Sequence, residues 1–406
     1  MDSLITAAGR ALAQGDVLGA LKRVALRNDA PALALRGIAM AQLGDYERAK
    51  ALLQRAARTF APKETVARAR CAVALAEIAL ASRDLGWPAR TLEAARRTLD
   101  ARRDFLNSAH ARLLQVRRLV LIGKLDDAQR LMHRLDASPF TPVLRAAYEL
   151  TAAGIAIRRI RARAAAEALA RAKTAAREAG IDALAAEIEA AAAGLEAPAA
   201  RLISRGTERP IALAEVEDLL GSDVMVVDAC RHLVSHKNVV VSLSSRPVLF
   251  TLARALAEAW PGDASRSALV ARAFRGRRAD ESYRARLRVE IGRLRRTLPS
   301  VAGLEATEDG FALTMGRHCG VAVLAQPFEG DNAALLALLS DGESWSSSAL
   351  GLALGASQRT VQRGLDSLAK AGKVRPFGRG PARRWTAPPL PGITTILLLP
   401  VSLPSD

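Results

Sequence analysis

The chain has 406 residues, half of them hydrophobic, with 59 Lys plus Arg against 41 Asp plus Glu and a net charge of +18. That length allows two to four domains with real apolar cores, which excludes a disordered polyelectrolyte. Three cysteines (Cys71, Cys230 and Cys319) exclude a disulfide-stapled secreted domain and fit a reducing cytoplasm.

Residues 1–15 lack the basic start and long apolar core of a signal peptide. Residues 1–200 are rich in Ala, Leu and Arg and poor in proline, a helix-forming composition. A turn residue followed by a small residue recurs: Gly15 with Ala20, Gly44 with Ala49, Asp84 with Ala89, Gly123 with Ala128, and Arg161 with Ala166. The phases are 29, 40, 39 and 38 residues apart, as expected of repeated helical hairpins. Gly37, Gly44, Tyr46, Ala49 and Ala56 form the clearest unit, which resembles a tetratricopeptide (TPR) repeat. It departs from that pattern in its longer step, against about 34 residues, and in Leu33 where Trp is common. A TPR-like α-solenoid over 1–200 is therefore expected, its concave face taking a protein or peptide partner. The other reading is an irregular helical bundle.

Pro198, the stretch 204–207 and Pro210 mark a linker, with a short helix, over 201–221. The β-branched runs 224–227 and 239–241, separated by a polar turn at 235–238, predict a small antiparallel sheet. Helical periodicity follows over 246–259, 265–274 and 281–298, then a hairpin turning at Asp309-Gly310. Residues 317–330 read as a connector. Residues 331–387 repeat the theme, with helices over 331–339, 346–354 and 357–371 and a Gly-rich hairpin. The tail, 388–406, is Pro-rich. The charge-free run 385–405 is cut by five prolines, so no membrane span is expected.

Charge is focused in the C-terminal half. Residues 266–296 hold eleven Arg against three acids, a net +8, and residues 357–384 hold eight basic residues against Asp366, a net +7. The first 200 residues carry +11 spread evenly, and the remaining 147 are net acidic at −8. Each focus falls on the third helix of a module and its surroundings. A charge run usually marks only a solvated face, but two at equivalent positions point to a polyanion.

In the first module Leu287, Ile291, Leu294 and Leu298 form one stripe of the helix, with Arg284, Arg286, Arg288, Arg293 and Arg295 on its other faces. The order of a leading sheet, 243–256, 265–274, 287–298 and the hairpin 304–314 resembles the winged-helix effector domain of OmpR/PhoB-type response regulators. The likeness spans 222–316 and is strongest at IGRLRR (291–296) followed by Gly310-Phe311. It implies that the third helix enters the major groove, with Arg284, Arg288 and Glu290 near the groove and Arg295 and Arg296 near the phosphate backbone. No receiver domain precedes it, so no aspartyl-phosphate switch is implied. Glu305, Glu308 and Asp309 put carboxylates on the expected wing, which repel phosphate. The order of domains resembles, in reverse, that of Streptomyces-type antibiotic regulators.

In the second module Ser357 is the expected N-cap of a helix buried along Val361, Leu365 and Leu368. Gln358, Arg359, Thr360, Gln362 and Arg363 cluster at its exposed start, and Gln and Arg read adenine and guanine edges. Residues 349–374 resemble a helix-turn-helix of the winged type. Residues 378–385, with Arg379, Arg383 and Arg384, resemble a basic wing.

Cys230, His232 and His236 would share a face if they lay on one strand, with His318 and Cys319 further along. Their spacing matches no standard zinc module, so packing is the expected role and no metal is assigned. His110 and His133 look isolated. No nucleotide loop, nucleophile–base pattern or acidic metal cluster is recognisable, so neither an enzyme nor a cofactor is expected. Aromatics are 4% of the chain, too few for a base-stacking single-strand binder.

The expected protein is mainly α: a TPR-like α-solenoid followed by two α+β winged-helix domains. It reads as a cytoplasmic bacterial transcription regulator that binds double-stranded DNA, away from membranes, while its repeats sense or recruit a partner. The alternative is an interaction scaffold whose winged helices contact protein. The sequence leaves target sites, direction of regulation and oligomeric state open.

Overall fold

Helix dominates, as the composition predicts. The computed structural model describes residues 2–274, 281–316, 319–326, 332–339, 344–378, 380 and 383–387. They divide into two units, Met1–Arg159 with Arg163–Gly194 and Ala334–Asp406, and Ile160–Ala162 with Leu195–Ala333. Among the described residues no helix is long and apolar enough to cross a membrane.

The first unit opens with α1 (Ser3–Ala13), α2 (Val17–Val24), α3 (Ala30–Gln42), α4 (Tyr46–Thr59), α5 (Thr65–Ala81) and α6 (Ala89–Ala101). It continues with α7 (Phe105–Leu121), α8 (Leu125–Met132), α9 (Pro142–Arg158), α10 (Ala162–Ala179) and α11 (Asp182–Glu196). Aspartates start several of them. Asp16 accepts the Gly19 N–H at 2.8 Å, Asp29 the Ala32 N–H at 3.2 Å and Asp45 the Arg48 N–H at 3.1 Å. Each satisfies a first-turn donor that the helix leaves unpaired. Consecutive helices from α1 to α9 pack on one another, and α1, α3, α5, α7 and α9 also touch in succession.

The repeat phase needs correction at two turns. The left-handed turn position falls on Gly15, Gly44 and Gly123, as the spacing predicts, but on Arg83 and Ile160 in the other two. Only glycine adopts that conformation without cost, so the two non-glycine turns escape a search for glycine. In the fifth phase the fully buried small residue is Ala165, not Ala166, and Ala89 is exposed at the start of α6.

Polar pairs run through this stack. Arg70 and Asp104 pair at 2.7 Å, and the Asn107 side-chain amide donates to both Asp104 oxygens at 2.9 Å. His110, expected to be isolated, is buried on α7 with its Nε2 3.2 Å from the Glu77 carboxylate on α5.

The same unit contains α16 (Ala333–Leu339), α17 (Ser347–Leu354), α18 (Gln358–Lys370), β10 (Arg375–Phe377) and β11 (Arg384–Thr386). Trp345 and Trp385 exchange backbone hydrogen bonds at 2.9 and 2.8 Å, adding a third extended segment beside β11. These elements share one apolar core with the stack. Leu80, Leu92 and Leu114 belong to the cluster that holds Leu339, Trp345, Leu365 and Trp385. The Arg83 guanidinium lies 5.4 Å from the Trp345 ring centre.

The second unit is built on a six-stranded sheet. Its strands are β1 (Ala200–Ser204), β2 (Thr207–Ile211), β3 (Met225–Asp228), β4 (Leu233–His236), β5 (Val239–Ser242) and β9 (Val321–Ala325), in the order β2-β1-β9-β3-β4-β5. Two expectations are overturned here, and the antiparallel pairing expected of the two β-branched runs is extended by a strand. The stretch 204–207 is not a linker but the turn of the β1–β2 hairpin, with Arg205 and Gly206 both at positive φ. Such a two-residue turn matches the right-handed twist of its strands. The connector contains β9, a central strand parallel to β3 and antiparallel to β1. The runs 224–227 and 239–241 are not neighbours, because β4 lies between them.

Side chains alternate across this sheet. Met225, Val227, Val321 and Val323 pack with α13 (Pro247–Ala259), α14 (Arg266–Phe274) and α15 (Glu281–Thr297). Val226 and Leu324 pack on the opposite side with Val216 of α12 (Leu213–Leu220). Burial on both faces explains the unbroken apolar runs of β3 and β9. The helices continue into a second sheet in which β8 (Gly310–Thr314) lies between β6 (Asp263–Ser265) and β7 (Gly303–Ala306). A Cβ on Gly310 would stand 1.9 Å from the Ala264 carbonyl oxygen, so only glycine permits this approach.

Candidate nucleic-acid interface

The two basic helices lie in different units. In the second unit, α15 buries Leu287, Ile291 and Leu294, and Leu298 is buried just beyond its end. That is the predicted stripe. Arg284, Arg288, Arg293, Arg295 and Arg296 are all exposed. Most of the charge is nevertheless engaged. Arg284 and Arg288 both reach Glu281, at 3.8 and 3.4 Å, and Arg293 pairs with Glu290 at 2.7 Å. Arg295 Nε donates to the Leu304 carbonyl at 3.0 Å and ties α15 to β7. Arg266 does the same for the hairpin turn, donating to the Thr307 and Glu308 carbonyls at 3.0 and 2.6 Å. Of the four α15 arginines expected at DNA, Arg296 has no hydrogen-bond or ion-pair partner among the described residues. Glu305, Glu308 and Asp309 are exposed on the hairpin. Arg275, Arg277 and Arg278 of the basic run lie outside the described residues.

A residue that the sequence did not single out joins this surface. Arg246, just before α13, donates to Thr297 Oγ1 at 3.3 Å. With Arg293 and Arg296 it borders a cleft of about 650 Å³ at the end of α15. It opens the periodic segment 246–259 but lies outside both basic runs, so no charge pattern marks it.

In the first unit, α18 is placed by a short turn. Gly355, in the left-handed conformation, closes α17, and the Ser357 hydroxyl accepts the Thr360 N–H at 3.2 Å, as predicted. Val361, Gly364, Leu365 and Leu368 face the core. Ser357, Gln358, Arg359, Thr360 and Arg363 are exposed and Gln362 is half-buried. Two of the amides are held in place. Gln358 donates to Ser347 Oγ at 3.2 Å across the turn, and Gln362 to Asp366 at 3.0 Å along the helix. Among the described residues Arg359 and Arg363 have no hydrogen-bond or ion-pair partner. The hairpin adds exposed Arg375, half-buried Arg384 and exposed Arg383, whose guanidinium lies 4.4 Å from the Trp385 ring centre. Arg379 and the tail 388–406 lie outside the described residues.

The strand expected to carry Cys230, His232 and His236 on one face does not exist. Only His236 is in β4. Cys230 and His232 fall in the preceding turn, where His232 has positive φ and packs edge-on against Phe250 at 4.7 Å. His318 lies outside the described residues. Compared with known protein families, curated proteins and solved structures, the chain matches none.

Proposed function

We propose that this chain is a bacterial transcription regulator that binds double-stranded DNA in a sequence-specific way. Two winged helices supply the contacts, and a TPR-like solenoid senses or recruits a partner. The observation that carries this reading is the exposed start of α18, where Arg359 and Arg363 stand free while the opposite face is buried. Uncommitted guanidinium groups are what bidentate guanine recognition requires, and Gln358 and Gln362 beside them suit adenine. On α15 the internal ion pairs fit a different division of labour. Arg296 is free for phosphate, while Arg284 and Arg288 must exchange Glu281 for DNA. Two linked reading heads raise each other's effective concentration, so a composite site is favoured over either half-site.

A second reading has one observation in its favour. The exposed carboxylates of Glu305, Glu308 and Asp309 repel a phosphate backbone and suit a basic protein surface. Salt separates the two. If six to ten phosphates are contacted, duplex affinity falls by roughly 10³-fold or more between 50 and 200 mM salt. Genomic-fragment selection with the full chain, followed by salt titration of the selected duplex, is the test. Failure to retain any duplex at low salt refutes DNA binding and leaves the scaffold.

A further inference from the structure

The helical stack forms a half-open cavity of about 590 Å³ between α5, α6, α7 and α8. That volume lies within the roughly 300–1,000 Å³ usual for small-molecule sites. Leu80, Trp87, Leu92 and Leu114 are among the residues that give it an apolar wall. Its polar groups are not equivalent. Glu93 is fully engaged, accepting from Arg96 at 2.9 and 3.0 Å, from Arg97 at 2.9 Å and from Gln115 at 2.8 Å. These donors hold its carboxyl at about 2, well below the usual range. It brings its own cations and needs none from a ligand.

The remaining charge is uneven. Arg118 donates through Nη2 to the Leu85 carbonyl at 3.3 Å, but its buried Nε–H has no acceptor among the described residues. Among the described residues Arg90 has no hydrogen-bond or ion-pair partner, and the side chain of the lining acid Asp84 makes no hydrogen bond or ion pair. One uncommitted guanidinium group and one that is only partly engaged therefore stand against one carboxylate. The Arg118 Nε is sealed from the cavity, but Nη1 makes no hydrogen bond among the described residues and is not buried, so it is the donor that an acceptor on a ligand can reach.

We propose that this cavity binds a small molecule with an apolar body and a carboxylate head, the head meeting Arg118. One half-buried, partly engaged arginine beside one exposed arginine suits a monoanion better than a phosphate dianion. The consequence for regulation rests on the DNA-binding reading above. Leu80, Leu92 and Leu114 line the cavity and also belong to the core that seats Trp345, Leu365 and Trp385. A ligand pressed against those leucines bears on how α18 is held.

The test uses the full chain and calorimetry with decanoate and 2-naphthoate, against decan-1-ol and decylammonium as neutral and cationic controls. Saturable binding of at least one acid, tighter than either control, is expected. Arg118→Gln should weaken acid binding about tenfold or more, the worth of one charge-assisted hydrogen bond, and leave the alcohol unchanged. Ala79→Phe, which fills the cavity, should abolish binding, with its melting curve checked against wild type. No saturable binding of either acid, equal binding of acid and decylammonium, or an unaltered Arg118→Gln variant overturns the site. Duplex affinity is read separately at saturating acid. A shift in wild type that is absent in Ala79→Phe supports coupling, and no shift overturns it. Acid binding by a chain that retains no duplex sinks the DNA reading alone.

Discussion

Replacing Arg363 by Ala should separate binding from folding. Arg363 is exposed on α18 and makes no hydrogen bond or ion pair among the described residues, so its truncation removes none there. Ala is also a good helix former, and a surface change of this kind moves stability by less than about 0.5 kcal/mol. If the guanidinium pairs with guanine, its loss costs about 1–3 kcal/mol of binding. At about 1.4 kcal/mol per decade that is a fall of roughly 5- to 150-fold, confined to the cognate base. Arg295→Ala is the contrast. Its Nε–H holds the Leu304 carbonyl at 3.0 Å, so the change should lower stability by about 1 kcal/mol. It should also weaken every duplex alike, since phosphate carries no sequence. Thermal melting gives the first quantity. Fluorescence anisotropy with the selected duplex and a set of single-base variants gives the second. An Arg363→Ala protein with unchanged affinity and unchanged base preference refutes the readout. One that melts far below wild type shows that Arg363 supports the fold instead.

Three further outcomes follow from the packing. Leu365→Ala, at a fully buried position in the core shared with α5, α6 and α7, should cost about 2–5 kcal/mol. An unchanged melting curve would show that α18 is not seated there. Gly310→Val places a side chain where the Ala264 carbonyl already stands, so β6 should separate from β8. Hydrogen exchange at residues 263–265 reads this, and protection equal to wild type contradicts it. Glu93 is held at about 2 against an ordinary 4.5. Its ionised form therefore stabilises the fold above pH 4.5, and that contribution is lost as pH falls from about 4.5 towards 2. Glu93→Gln should flatten the acid side of the stability curve in that window. Identical slopes for the two proteins would mean that the carboxylate is not so held.

What the sequence made legible was local. The stripe Leu287, Ile291, Leu294 and Leu298 placed α15, and Ser357 with Val361, Leu365 and Leu368 placed α18 with its cap. These signals recur within one helical turn or two. What escaped depends on partners far along the chain. β9 is a five-residue apolar run whose meaning lies in β3, with Met225 opposite Val321, and in β1, with Arg201 opposite Ala325. Nothing within 321–325 says that it is central to a sheet. The Arg205-Gly206 turn looked like a linker for the same reason, since β1 gains its second neighbour only from β9.

The candidate site was legible in its residue types but not in their commitments. Eleven arginines in one run look equivalent in sequence, yet Arg295 and Arg266 are bound to backbone carbonyls and Arg284 and Arg288 share one glutamate. Net charge therefore overstates what α15 can offer phosphate, whereas on α18 both Arg359 and Arg363 are uncommitted among the described residues. The two helices should then respond differently to salt. Removing Glu281, as Glu281→Gln, releases Arg284 and Arg288 and should raise duplex affinity while steepening its fall with salt. No comparable gain is open at α18, because neither Arg359 nor Arg363 has an acid to be freed from. Anisotropy across a salt series reads this directly. A Glu281→Gln protein that binds no more tightly than wild type at low salt would place α15 outside the DNA contact and leave α18 to carry recognition alone.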